Sequence, residues 1–93
     1  MDHENIEIYQ RALDQYGITA QERMLMEECA ELIDAICKHY RMRNTVNDLI
    51  TELADVHIMV EQMAVFYDLK AFTEEKKRKI ARLNERLNLH SNN

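Results

Sequence analysis

A chain of 93 residues is enough for one small domain and too little for two. A formal net charge of -5 and a pI near 5.3 argue against a general nucleic-acid-binding surface. No uncharged run approaches the roughly 18 residues that a membrane span requires, and no signal-peptide pattern opens the chain, so a cytoplasmic protein is expected, without membrane or nucleic-acid partners.

One glycine, no proline and apolar residues at helical rather than alternating spacing predict an all-α chain. The first helix is predicted from about Asp2 or Asn5 to Tyr16, with Ile6, Tyr9, Leu13 and Tyr16 on one face, and Gly17 as a left-handed C-terminal cap. Tyr9 and Tyr16 have the spacing of core residues, which outweighs a base-stacking role. Thr19 and Glu22 have the spacing of a capping box, so a second helix is predicted from near Ala20 to about Tyr40.

Taking Glu28 as the angular origin of that helix, Leu25, Cys29, Leu32, Ile33, Ile36 and Tyr40 fill a stripe from about 40° to 140°. Glu28 borders it, and Glu31 lies about 60° away on the same face. Cys29 and Cys37 are about 12 Å apart along the axis, beyond disulfide reach, and read as free thiols.

Arg41 to Asn44 is a basic break, in which Arg41 and Arg43 read first as solvated loop charges and second as groups that reach a phosphate. Thr45 and Asp48 then restart the chain as a third helix to about Tyr67. Glu52 and Asp55 repeat the spacing of Glu28 and Glu31, beside a stripe of Leu49, Leu53, Val56, Val60 and Met63. Ala54, Ile58 and Val65 lie on another side, so this helix is apolar on more than one face and should be buried on more than one. So short a chain has little with which to cover it, and a homodimer or homotetramer is expected to complete the bundle. His57 reads as a packing or interface residue. Most of the six Met residues read as core filler, with Met24 and Met59 beside the acidic faces, where they could line a base pocket.

After a connection over 68–72, Thr73, Glu74 and Glu75 are expected to open a fourth helix. Ile80, Leu83 and Leu87 form its seam, and Lys79, Arg82 and Arg86 form a row of cations along the expected packed edge. Such a row is often just a solvated face; here it also has the chemistry to hold phosphate oxygens. Residues 90–93 read as a frayed polar tail.

Packing the two acidic helices together brings Glu28, Glu31, Glu52 and Asp55 toward one another. Two like charges about 4 Å apart repel by roughly 4 kcal/mol at an effective dielectric near 20. No Lys or Arg occurs over 24–37 or over 44–69 to relieve this. An all-oxygen donor set suits magnesium or manganese better than zinc. A di-iron carboxylate site is disfavoured, because Glu52 is followed three residues on by Asp55 where that chemistry needs His.

The paired pattern Glu27-Glu28-x-x-Glu31 and Glu52-x-x-Asp55 resembles the signature of the MazG-like, all-α nucleoside triphosphate pyrophosphohydrolases, over about Gln21 to Arg86. The resemblance implies a four-helix MazG-like unit spanning residues 1–93. It also implies magnesium-dependent cleavage of a nucleoside triphosphate to monophosphate and pyrophosphate, in a nucleotide-pool housecleaning role. Glu28, Glu31, Glu52 and Asp55 would then be the metal ligands, with magnesium replaceable by manganese. Glu27 would act one step out from the metal or as the base on water. Lys79 and Arg82, with Arg86 beyond, match the basic residues that such proteins carry downstream of the second acidic motif. Two alternatives belong to other classes: a catalytically silent nucleotide-binding module, and a structural helical oligomer.

Overall fold

The computed structural model describes residues 1–91. It consists of four helices, α1 (His3–Tyr16), α2 (Ile18–Tyr40), α3 (Val46–Tyr67) and α4 (Leu69–Ser91), with no strand among the described residues. None of these helices is long and apolar enough to cross a membrane.

The Asp2 carboxylate starts α1 by accepting the Glu4 N–H at 3.0 Å. Tyr9 is the buried residue of this helix, as its spacing predicts, and its hydroxyl donates to Glu61 of α3 at 2.8 Å. Burial first, then the hydrogen bond and charge of Glu61, push the Tyr9 phenol from 10.0 up to about 12. A phenol whose pKa is raised by folding stabilises the native state fully below its unfolded pKa, and the contribution is lost as pH rises through the folded value. Denaturant titrations at successive pH values are therefore expected to show a loss of stability between pH 10 and about 12. Tyr9→Phe should remove that step and cost about 1–3 kcal/mol at neutral pH by leaving the Glu61 oxygen short of its donor.

Gly17 joins α1 to α2 and serves both. Its N–H donates to Leu13 at 2.9 Å, and its carbonyl accepts from Gln21 at 3.2 Å. Its φ of 85° is positive as expected, but ψ is 156°, an extended value rather than that of the left-handed cap predicted above. One residue must turn the chain directly into the next helix, and this region of backbone space is essentially glycine's alone. A Cβ added there would meet nothing within 4 Å. Gly17→Ala is therefore expected to cost about 1–3 kcal/mol through backbone conformation alone, seen as a lower urea midpoint with unchanged slope. Because Gly17 ends one helix and begins the other, the expected Thr19–Glu22 capping box does not form. The second helix starts at Ile18 with no side-chain cap, and Glu22 instead accepts the Tyr67 hydroxyl, tying the start of α2 to the end of α3.

At the far end of α2, the Arg43 N–H bonds to the Lys38 carbonyl at 2.8 Å and the Met42 N–H to the His39 carbonyl at 3.0 Å. These are the two bonds of a Schellman closure. Met42 takes the left-handed position, φ 59°, usually given to glycine. Two residues on, the Asn44 side-chain amide donates to the Ala35 carbonyl at 3.0 Å and pins the turn to α2. The expected capping box is formed at the start of α3: Asp48 accepts the Thr45 N–H at 2.9 Å, and the Thr45 hydroxyl accepts the Asp48 N–H at 3.2 Å.

The last helix begins earlier than predicted. Asp68 is extended and its carboxylate accepts the Ala71 N–H at 3.0 Å, so α4 starts at Leu69, leaving no connection over 68–72. Thr73 lies inside the helix and donates its hydroxyl to the Leu69 carbonyl at 2.8 Å instead of capping. The helix includes His90 and Ser91, the first two residues of the tail expected over 90–93. The remainder of the expected tail, Asn92 and Asn93, lies outside the described residues.

The most extensive packing is between α2 and α3; α1 lies chiefly on α3, and among the described residues α4 packs on α3 alone. Buried positions on α2 are Gln21 and Ala35, with Leu25, Glu28, Cys29 and Leu32 half-buried. Three residues of the predicted stripe are instead largely exposed: Ile33 at 64%, Ile36 at 50% and Tyr40 at 88%. The inward face of α2 is thus turned roughly 50° toward its acidic line. On α3 the buried residues are Met59, Gln62 and Ala64, so Met59 packs inside, while Met24 on α2 is exposed. Every α4 side chain from Lys70 to His90 is exposed, so its apolar seam and cationic row do not form a packed edge within one chain.

Candidate metal centre and active site

The rotation of α2 toward its acidic line brings Glu28 and Glu31 against Glu52 across the α2–α3 contact. One oxygen from each of these three carboxylates lies within 4.8 Å of the others. Glu28 and Glu52 are half-buried, while Glu31 is exposed. Three carboxylate oxygens gathered this closely could hold one hard divalent ion, for which an all-oxygen donor set is suited. Glu28 Oε2 and Glu52 Oε2 are buried with no hydrogen-bond partner among the described residues. Two orphaned carboxylate oxygens beside a third carboxylate are what a hard divalent cation would satisfy.

The electrostatics agree with this geometry. Burial, followed by the charges of Glu31, Asp55 and Glu52 and a hydrogen bond with Glu31, raises the Glu28 carboxyl above its ordinary 4.5. Glu52 is raised likewise, by burial first and then by Glu31, Asp55, Asp34 and Asp48. Asp55 is therefore close enough for its charge to be felt by both, though it is not one of the three that converge within 4.8 Å. Glu27 is exposed on α2, outside that group.

Beside the carboxylates runs a cleft of about 560 Å³ that shares Glu31 and Glu52 as part of its wall. The cationic residues of its lining are Lys38, Arg41 and Arg43. Sequence reasoning treated the two arginines first as loop charges and passed over Lys38. The available signal was that these three are the first cations after a cation-free run and sit between the two acidic motifs. Lys79, Arg82 and Arg86 are exposed on α4 and do not line this cleft; Lys79 Nζ lies 3.8 Å from a Glu75 oxygen. His57 is exposed with its Nδ1 4.0 Å from Glu61 and is not part of the converging group, and both cysteines are free.

A family model described as the MazG nucleotide pyrophosphohydrolase domain matches residues 17–86. No curated protein and no solved structure matches the chain.

Proposed function

Since the chain belongs to the MazG nucleotide pyrophosphohydrolase domain family, we propose that it hydrolyses a nucleoside triphosphate, ribo- or deoxyribo-, to the monophosphate and pyrophosphate in a magnesium-dependent reaction. The observation that carries this reading is the approach of Glu28, Glu31 and Glu52 within 4.8 Å, with two of their oxygens buried and unpartnered.

In this reading Glu28, Glu31 and Glu52 hold the ion, and Asp55 joins them or orients water beside them. Magnesium, or manganese in its place, would supply charge neutralisation at the phosphates and a more acidic water. Water is added across the anhydride between the α and β phosphates. The carboxylates would hold the ion that neutralises the phosphates, and positioning would then carry most of the rate. Glu27, outside the converging group, takes the lesser role of receiving a proton from water at the edge of the site. The phosphate role expected for Lys79, Arg82 and Arg86 would require α4 to reach a carboxylate site on another copy.

The same reading has the protein working in the cytoplasm in nucleotide-pool housecleaning, and as a homo-oligomer; the apolar surface that one chain leaves uncovered supports the last of these. A pyrophosphate-release assay across the common ribo- and deoxyribonucleoside triphosphates, with and without magnesium, tests the activity. Release that requires magnesium supports the proposal. Triphosphate binding without release would instead mark a silent nucleotide-binding module. The absence of any thermal shift with magnesium and nucleotide would mark a structural oligomer.

A further inference from the structure

The cleft beside the carboxylates contains more cationic chemistry than the metal centre requires. Of its acidic residues, Glu31 and Glu52 belong to the converging group. Asp34 is engaged by Lys38 at 2.8 Å, and Asp48 is engaged by the Thr45 cap. Arg41 and Arg43 have no carboxylate within ion-pair distance among the described residues, yet both line the same cleft.

Their position is built into the fold. The Schellman closure puts Met42 in the left-handed conformation, with its side chain 93% exposed and outside the cleft, while the residues on either side line it. The Asn44–Ala35 hydrogen bond holds the same turn against α2. A non-glycine residue in this conformation costs roughly 1–2 kcal/mol, which the closure and the Asn44 anchor offset. Two guanidinium groups on a pinned turn, one cleft-width from an acidic ion site, are suited to an anion that also binds the ion. Guanidinium is the side chain best matched to phosphate oxygens, because its planar fork can bond two of them at once.

We propose that Arg41 and Arg43, with Lys38 beside them, form an anion subsite that takes the terminal phosphates of the substrate, the part released as pyrophosphate. This rests on the pyrophosphohydrolase reading for the identity of the anion, but not for its existence. The cleft volume of about 560 Å³ lies within the range of about 300–1,000 Å³ usual for small-ligand sites. Lys38 is partly neutralised by Asp34, so the arginines carry most of the attraction.

The test is calorimetric titration of the full chain with magnesium pyrophosphate and magnesium tripolyphosphate, alongside titration with magnesium alone. The wild type should bind both polyphosphates. The double variant Arg41→Gln/Arg43→Gln should bind them about 10- to 100-fold more weakly, as expected for lost hydrogen bonds to a charged group, with affinity for magnesium alone preserved. Arg41→Lys/Arg43→Lys should recover part of the loss, because charge remains while the fork is gone. The proposal is overturned if the wild type binds neither polyphosphate. It is equally overturned if the glutamine double variant binds like wild type, whether or not Lys79→Gln/Arg82→Gln shows the loss. Polyphosphate binding that depends on Arg41 and Arg43, in a protein that releases no pyrophosphate from any triphosphate, would uphold the subsite and reject the enzymatic reading.

Discussion

Replacing Glu52 with glutamine is expected to lower magnesium-dependent pyrophosphate release by on the order of 10²–10³-fold or more, the scale on which single electrostatic groups act in a preorganised site. The same substitution should make the metal-free protein more resistant to heat. Both effects follow from one feature. Glu52 Oε2 is buried without a hydrogen-bond partner and shares its surroundings with Glu31 and Asp55. An amide keeps the shape and removes the charge, so repulsion across the α2–α3 contact falls while one of the ion-holding groups is lost. Magnesium should accordingly raise the unfolding temperature of the wild type and have little effect on that of Glu52→Gln. Glu28→Gln should behave alike, because its Oε2 is orphaned in the same way. A merely structural carboxylate would give the opposite pattern in the metal-free protein, with the amide less stable or unchanged. Differential scanning calorimetry with and without magnesium separates the two, and unchanged turnover in both variants would remove the assignment.

Much of this site follows from local rules. The spacing of Glu28 and Glu31 on one helix and of Glu52 and Asp55 on another depends only on helical geometry, and the Thr45–Asp48 box that starts α3 involves neighbours in sequence. The ends of α1, α2 and α3 at Tyr16, Tyr40 and Tyr67 were legible for the same reason. Three features were not, each for a different reason. The apolar stripe of α2 indicates that Ile33, Ile36 and Tyr40 face inward, yet the partner helix turns Glu28 toward the contact instead. Periodicity records every apolar face without saying which one a single chain buries. The start of α4 was missed because Thr73 and Glu74–Glu75 imitate an N-terminus, whereas Asp68 caps the helix several residues earlier. The break over 41–44 was legible, but its left-handed closure was not, because Schellman closures usually carry glycine at that position and here the residue is Met42.

Dilution is expected to lower the unfolding temperature of this protein, and Leu83→Glu is expected to abolish that dependence by preventing association. The chain exposes 7543 Å². A folded monomer of its mass exposes roughly 5,700 Å², so about 1,900 Å² per chain is in excess. Twice that area falls within the range of about 2,000–5,000 Å² buried by obligate homodimers. Its radius of gyration of 16.4 Å, against about 12 Å for a compact chain of this length, has the same origin in an α4 that contacts α3 alone. The uncovered apolar surface includes Ile80 and Leu83 on α4 and Ile33, Ile36 and Ile50 on α2 and α3. Charge favours bringing these together between copies. The α4 segment, 69–91, carries seven Lys and Arg against three Glu, while the rest of the chain carries five against fourteen acidic residues. Burying a leucine contributes about 1.5–3 kcal/mol, and in an isologous pair each substitution acts twice, so Leu83→Glu should cost the assembly about 3–6 kcal/mol before the charge is counted. Sedimentation at several concentrations should then find wild type associated and Leu83→Glu monomeric. Moderate salt should weaken the wild-type association without abolishing it, since screening reduces only the charge component. A wild type that stays monomeric at all concentrations would mean that α4 is covered by something other than a second copy.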